Sequence, residues 1–198
     1  LQAGNDIDID SAVSTVAAGT VYVVGGNDVR VNATVTSVDG NQLFTATRDL
    51  NINAAVSSSA GSIGLLDGRD LQVNSTVSTS GGNLVLRAGL DLNINSSLST
   101  TTGSIGMSAG QDIAQFANIN AGGDVLAVAG RDFTQNGGVS IAAGLSPQLP
   151  IRDTIQITTG GTQRLGLLTA EHISLDAGGD ILDYNDQIVA DVLNLRAT

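Results

Sequence analysis

The stretch Gly68-Arg69-Asp70-Leu71 decides the fold, because its pattern of a glycine, any residue, an aspartate and an apolar residue recurs along the chain. Its aspartates are separated by 22, 21, 21, 21, 21 and 20 residues, at Asp6, Asp28, Asp49, Asp70, Asp91, Asp112 and Asp132. Such a fixed period is typical of proteins in which each repeat stacks on its neighbours.

The apolar residues within one repeat alternate with polar ones, which is the period of a β-strand. In one repeat they form three groups, Leu71/Val73, Val77 and Leu84/Leu86. Three short strands that recur in the same direction predict an all-β fold, a right-handed parallel β-helix with about 21 residues per coil and about 9–10 coils. We expect residues 1–198 to form a single β-helix segment.

Glycines mark two corners of the predicted coil, where positive φ or close backbone approach excludes a side chain. At the first corner each glycine lies two residues before its aspartate, as in Gly26 and Asp28, Gly68 and Asp70, Gly89 and Asp91, and Gly110 and Asp112. The second corner is marked by Gly40, Gly61, Gly82 and Gly103.

Asparagines recur four residues after the aspartate, at Asn32, Asn53, Asn74 and Asn95. Amide side chains stacked in register can hydrogen-bond along the stack. The spacing therefore predicts an asparagine ladder along the rod.

The pattern loosens after Asp132. Pro147 and Pro150 cannot donate to a strand ladder, so residues 144–153 are predicted to form a protruding loop. Strand pairs are expected to resume at Ile155/Ile157 and Leu165/Leu167. An uncapped solenoid would expose strand edges, so we expect more protein on both sides of this chain.

Composition excludes several functions. A net charge of −11 and the absence of clustered arginine argue against binding to nucleic acid or an anionic membrane surface. Without cysteine there is neither a disulfide nor a thiolate ligand or nucleophile. No stretch has the length and apolarity of a transmembrane segment.

The repeats resemble those of filamentous-haemagglutinin-type adhesins, which are two-partner secretion exoproteins. The resemblance lies in Gly68-Arg69-Asp70-Leu71-Gln72-Val73, Gly81-Gly82-Asn83-Leu84-Val85-Leu86-Arg87-Ala88-Gly89 and Asp176-Ala177-Gly178-Gly179-Asp180-Ile181-Leu182-Asp183. It implies a β-helical shaft, export through an outer-membrane secretion pore, a secreted or cell-surface location, and a role in attachment or toxin presentation.

We therefore expect an extracellular structural and adhesive shaft. It would act as a rigid spacer or pack laterally into a filament, with a host or bacterial surface receptor as a further partner. We expect neither a cofactor nor catalytic residues.

Metal binding is the first alternative, because stacked carboxylates could collect calcium. Arg48, Arg69 and Arg131 stand beside their aspartates as counter-charges, and a corner aspartate can also bond backbone amides. A structural corner is favoured. The acidic stretch 180–186 lacks EF-hand spacing and is predicted to be a solvated turn.

A carbohydrate-active β-helix enzyme is the competing functional class, since stacked coils can supply aspartate pairs. His172 and Glu171 are adjacent, so on a strand they would point to opposite sides. The aromatic residues that usually form sugar platforms are scattered.

A lesser alternative is an ice- or polymer-binding surface. Small hydroxyl and amide residues flank the second apolar position of each coil, at Thr34/Thr36, Thr76/Ser78, Ser97/Ser99 and Asn118/Asn120. Ala12 and Ala55 interrupt this array.

Overall fold

The computed structural model describes residues 1–144, 153–184 and 186–198. In this part of the chain the predicted all-β parallel solenoid is confirmed, with about nine turns of three strands and about 21 residues in a regular turn. Each strand pairs in parallel with the equivalent strand of the neighbouring coils, on both sides within a sheet and on one side at its two ends. Adjacent coils therefore share hydrogen bonds on three sides.

Three sheets run the length of the solenoid and are named here in the order in which the chain enters them. Sheet 1 comprises Gln2–Ala3, Val21–Gly25, Gln42–Ala46, Ile63–Asp67, Leu84–Ala88, Ile105–Ala109, Val125–Ala129, Thr154–Thr159, His172–Ala177 and Val192–Ala197. Sheet 2 comprises Ile7–Ile9, Val29–Val31, Asp49–Ile52, Asp70–Val73, Leu92–Ile94, Ile113–Gln115, Phe133–Gln135, Gln163–Leu165 and Ile181–Asp183. Sheet 3 comprises Val13–Thr15, Val35–Ser37, Val56–Ser58, Val77–Thr79, Leu98–Thr100, Ile119–Asn120, Ser140–Ala142, Leu167–Thr169 and Ile188–Val189.

The core consists of the inward residues of the three sheets, stacked one per coil. Leu71 stacks between Leu50 and Leu92, and Val77 between Val56 and Leu98. All of these side chains are fully buried. Burial of branched aliphatic side chains at about 25 cal/mol per Å² of apolar surface is the main stabilising contribution to such a core.

Glycine is required at both corners because successive coils approach closely. A Cβ placed on Gly89 would lie 2.0 Å from the carbonyl oxygen of Gly68, and one on Gly103 would lie 1.9 Å from that of Gly82. Among the described residues, positive φ occurs only at Ala17, Gly138 and Gly144. Close approach, and not positive φ, explains the recurring glycines.

A column of buried hydroxyl groups lies at the corner that follows sheet 3. Its members are Ser37, Ser58, Thr79 and Thr100. Thr79 Oγ1 donates to the carbonyl of Gly61 at 2.7 Å and accepts from the amide of Gly82 at 3.2 Å. The corner backbone therefore supplies the partners that these inward polar groups need.

The coil becomes irregular where the sequence loosens. In earlier coils a corner aspartate accepts a hydrogen bond from the amide of the next corner aspartate. Asp132 accepts instead from the amide of Thr162, which lies 30 residues later in the sequence. Residues 145–152 of the predicted 144–153 loop lie outside the described residues. The expected strand pair Leu165/Leu167 is wrong, because Leu165 ends one strand and Leu167 begins the next, where Leu168 points inward.

Candidate functional site

The recurring aspartates form a stack at the corner between sheets 1 and 2, called here the aspartate corner (Asp6, Asp28, Asp49, Asp70, Asp91, Asp112 and Asp132). Most of them accept a hydrogen bond from the backbone of the following coil. For example, the amide of Asp112 donates to Asp91 Oδ1 at 3.1 Å, and the amide of Asp132 donates to Asp112 Oδ1 at 3.1 Å. These carboxylates accept hydrogen bonds from backbone amides.

Arginines bind the same stack, and Arg48, Arg69 and Arg131 each bind the aspartate of the preceding coil. Arg48 donates from Nε and Nη2 to the two oxygens of Asp28, at 2.7 and 2.5 Å. Arg131 forms the equivalent pair with Asp112 and thereby holds the pKa of that carboxyl below its usual value. The amide of Asp28 and the side-chain amide of Asn27 donate hydrogen bonds to the Asp6 carboxylate, and these bonds lower the pKa of Asp6.

Asp28 is the most enclosed member of the aspartate corner, at 3% exposure. Arg30 donates to its Oδ2 at 2.7 Å and also contacts Asp6 and Asp8 at 3.4 and 3.2 Å. Two guanidinium groups therefore neutralise one nearly buried carboxylate, which is the pairing that burial of a charge requires.

The asparagine residues form a hydrogen-bonded ladder on the surface of the rod. Asn53, Asn74 and Asn95 each donate from Nδ2 to Oδ1 of the preceding asparagine, at 2.9, 2.9 and 2.8 Å. Asn32 donates to Asp10 Oδ1 at 2.9 Å. The ladder thus ends on a carboxylate, an acceptor with no hydrogen of its own.

The sequence interpretation missed a carboxyl group inside the core. Asp67 is the last residue of a sheet 1 strand and occupies a stack whose neighbouring members are Ala46 and Ala88. It is only 9% exposed, and neither carboxylate oxygen has a hydrogen-bond partner of good geometry among the described residues, although the backbone amide of Arg69 is close enough to oppose the rise of its pKa. Burial raises the pKa of Asp67 to about 7, and the nearby Asp70 and Asp49 add to the rise.

Buried glutamines are a second feature that the sequence interpretation missed. Gln115 and Gln135 replace the aliphatic residues that Ile94 and its predecessors place at the same inward position. Their Nε2 atoms donate to backbone carbonyls, in the case of Gln135 to Val139 at 2.8 Å. An alternation pattern identifies inward positions by their apolarity, so an inward amide escapes it.

Acidic residues also gather beside the irregular coil. Burial raises the pKa of Asp153, and Asp124 and Glu171 raise it further. Asp124 Oδ1 accepts from the amide of Thr154 at 2.7 Å. His172 lies on the next coil, in register with Thr154 and Val192.

A metal centre is not formed by the described residues, since they contain no group of three or more histidine, cysteine, aspartate or glutamate side chains placed to hold an ion. They also contain no helix that is long and apolar enough to cross a membrane. In the described part of the acidic stretch, Ile181–Asp183 is a strand of sheet 2, so the predicted turn is wrong there, and the amide of Asp186 donates to Asp183 Oδ1 at 3.2 Å.

The second member of each predicted hydroxyl or amide pair lies on the outward face of sheet 3, at Thr36, Ser78, Ser99 and Asn120, whereas the first member of each pair precedes the strand. Thr36, Ser57, Ser78 and Ser99 stack in register, one per coil. All are at least partly exposed. The array is a regular, uncharged polar surface.

Comparisons of the chain with protein-family models, curated proteins and solved structures return no match.

Proposed function

We propose that this chain is a rigid segment of an extracellular bacterial shaft, of the kind built by filamentous-haemagglutinin-type adhesins. The observation that carries the proposal is the continuity of the three parallel ladders, which connect every coil to the next. With a spacing of about 4.8 Å between coils, nine coils span roughly 43 Å. The shaft would hold a binding tip or a toxin at a fixed distance from the cell.

Stiffness follows from the direction of the hydrogen bonds. In a parallel solenoid the backbone bonds run along the rod, so bending it compresses or stretches ladders on opposite sides at once. Arg48–Asp28 and the asparagine ladder add side-chain bonds in the same direction. These contacts support a mechanical role.

Export and attachment are part of the proposal. A chain without cysteine can pass an outer-membrane pore unfolded and requires no oxidative folding afterwards. We propose a secreted or cell-surface location, with the secretion pore as a transient partner and a surface receptor as the target of the full protein.

Chemical catalysis has weaker support. The stacked aspartates are engaged by arginines or backbone amides, and Asp67, the carboxyl whose pKa of about 7 would suit a general acid, points into the core. We therefore propose that the chain is not an enzyme. A polysaccharide screen that gave turnover would refute this part of the proposal.

Single-molecule pulling between handles at the two ends tests the mechanical role. The expected result is resistance followed by steps that each release one coil, which for 21 residues corresponds to about 70 Å of extended chain. Extension at the low force of an unstructured linker would contradict the proposal. Deletion of residues 71–91, a whole coil, should remove one step, whereas deletion of 71–80 should disrupt the rod.

The hydroxyl array on sheet 3 favours a second candidate, binding to ice or a crystalline polymer. Its in-register column from Thr36 to Ser99 offers a repeat of about 4.8 Å. A thermal hysteresis assay separates this candidate from the shaft. No hysteresis is expected if the array is only a neutral strand face.

A further inference from the structure

The outward face of sheet 1 carries partly or fully exposed apolar side chains on five of the six consecutive strands from Val21–Gly25 to Val125–Ala129. We call it the apolar face; its large members are Tyr22, Val24, Leu43, Leu66, Val85, Leu126 and Val128. Tyr22, Val85 and Leu126 are 54%, 48% and 43% exposed. Exposed apolar surface that is contiguous and bordered by polar residues marks an interaction site more often than isolated apolar residues do.

Charge distinguishes this face from the rest of the rod. The molecule has a net charge of −11, so two copies repel each other through most approaches. Over the six strands of the apolar face the outward positions contain no carboxylate, and their one charged residue is Arg87. Polar, uncharged Asn41, Ser62, Asn83 and Ser104 border it on one side, and Asp124 follows them at the last strand of the face.

Large side chains and glycines alternate along the apolar face. In one outward column, Leu43, Gly64, Val85, Gly106 and Leu126 follow one another on successive coils. Leu43 covers Gly64, since its Cδ1 lies 2.9 Å from where a Cβ on that glycine would be. Nothing lies within 4 Å of the equivalent point on Gly106. An open notch one coil wide therefore separates Val85 from Leu126.

We propose that this face binds a second copy of the same chain, with the two rods antiparallel. Rotation by 180° about an axis along the strands reverses the rod but leaves each column opposite itself. With the axis midway between the coils of Gly64 and Val85, which is the centre of the six strands, Leu43 of each copy faces the notch at Gly106 of the other. The same operation places Val85 opposite Gly64, Tyr22 opposite Leu126 and Val24 opposite Val128, so the six strands of the apolar face meet the same six strands of the second copy.

The size of the face sets the strength of the contact. Six strands at about 4.8 Å and five residues at about 3.3 Å give roughly 480 Å² per copy, against about 800 Å² in a standard stable interface. The dimer is therefore weak and concentration-dependent. This inference goes beyond the shaft function and can fail while that function stands.

Sedimentation equilibrium of the intact chain over a concentration series tests the proposal. The wild type is expected to form dimers reversibly, and more strongly at high salt because the net charge is screened. Val85→Asp and Gly106→Val are each expected to weaken the dimer about tenfold or more, the first by placing a charge in the contact and the second by filling the notch. Gln72→Asp, which adds the same charge to the outward face of sheet 2, is the matched control and should resemble the wild type.

Gly106→Val is the decisive variant because it adds apolar surface. If association were unspecific, it would strengthen the dimer, and that result would overturn the proposal. A wild type that remains monomeric up to roughly 1 mM would overturn it as well, as would oligomers unaffected by both substitutions. Circular dichroism checks that each variant is folded, which is expected since both positions point outward.

Discussion

Arg69 binds Asp49 across one coil, with its Nε and Nη2 atoms donating to the two carboxylate oxygens at 2.8 and 2.6 Å. Its sequence neighbour Asp70 lies farther away, at 3.2 Å from Nε. The guanidinium group thus joins two coils and partly neutralises both carboxylates. Sequence adjacency alone had suggested the pairing with Asp70.

Loss of the Arg69–Asp49 contact should reduce the free energy of unfolding less than loss of the Arg48–Asp28 contact. Arg69→Gln removes a pair in which the aspartate side chain is 17% exposed, whereas Arg48→Gln leaves a carboxylate that is only 4% exposed with one arginine instead of two. We expect urea unfolding to show a small decrease in the free energy of unfolding for Arg69→Gln and a clearly larger decrease for Arg48→Gln. Equal losses would contradict this assignment of burial.

Calcium removal should leave the melting temperature unchanged. The oxygens of the aspartate corner accept bonds from arginines and from amides such as that of Asp112, and this leaves no multidentate set for an ion. Calorimetry with and without a chelator provides the measurement. A lower melting temperature in the chelator would show that calcium binds this rod.

A charge inside the core should unfold neighbouring coils. Val56 is fully buried between Val35 and Val77, so Val56→Asp should cost about 4 kcal/mol or more. The adjacent Ser57 points outward, and Ser57→Asp should change the free energy of unfolding by less than about 1 kcal/mol. Urea denaturation of both variants tests which residue faces the core.

Corner glycines and surface glycines should respond in opposite ways to alanine. A Cβ on Gly82 would lie 2.4 Å from both the carbonyl carbon and the oxygen of Gly61, so Gly82→Ala should cost about 2 kcal/mol or more. The open site at Gly106 should tolerate alanine and gain up to about 1 kcal/mol. Thermal unfolding of the two variants gives the comparison, and a stable Gly82→Ala rod would mean that the coils can separate locally.

The buried carboxyl of Asp67 should make stability depend on pH. Its pKa is raised to about 7 in the folded state, so between pH 4 and 7 the folded chain retains a proton that the unfolded chain releases. This group therefore destabilises the fold increasingly as pH rises through that window. Three pKa units correspond to roughly 4 kcal/mol at most.

Asp67→Ala, which restores the residue found at Ala46 and Ala88, should stabilise the chain above pH 7 and have little effect near pH 4. Urea unfolding across this pH range is the measurement. Asp39→Ala, at an exposed position, is the control and should show no such trend. A wild-type stability that does not fall between pH 4 and 7 would place the Asp67 carboxyl in water.

The sequence predicted the coil, its corners and most of its inward residues, because apolar residues such as Leu71 and Val77 recur at a fixed spacing. Thr79, Gln115 and Asp67 are also inward, but their polarity hides them from an alternation pattern. Thr79 and Gln115 are tolerated inside the coil because their side-chain donors form hydrogen bonds with backbone carbonyls at the corners. These carbonyls come into reach only when the coil has folded. Asp67 has no such partners, so nothing local signals its burial.

The irregular coil was predicted only in part. The prolines located it, but the pair Leu165/Leu167 was assigned to one strand because the alternation continues across a corner. Gly166 lies between two strands there, and its amide donates to Gln135 Oε1 at 3.0 Å. A buried side chain from an earlier coil therefore sets this corner, which makes it a long-range effect.

The side-chain bonds that join successive coils at the aspartate corner and along the asparagine ladder share one direction. Arg69 donates to Asp49, Asn74 donates to Asn53, and the amide of Asp132 donates to Asp112, so in each case the later coil donates and the earlier one accepts. A completed coil therefore presents acceptors that are already in position for the chain that follows it. A chain that emerged with its N-terminal end first would find a finished template for each new coil, and folding could advance with delivery, one coil at a time.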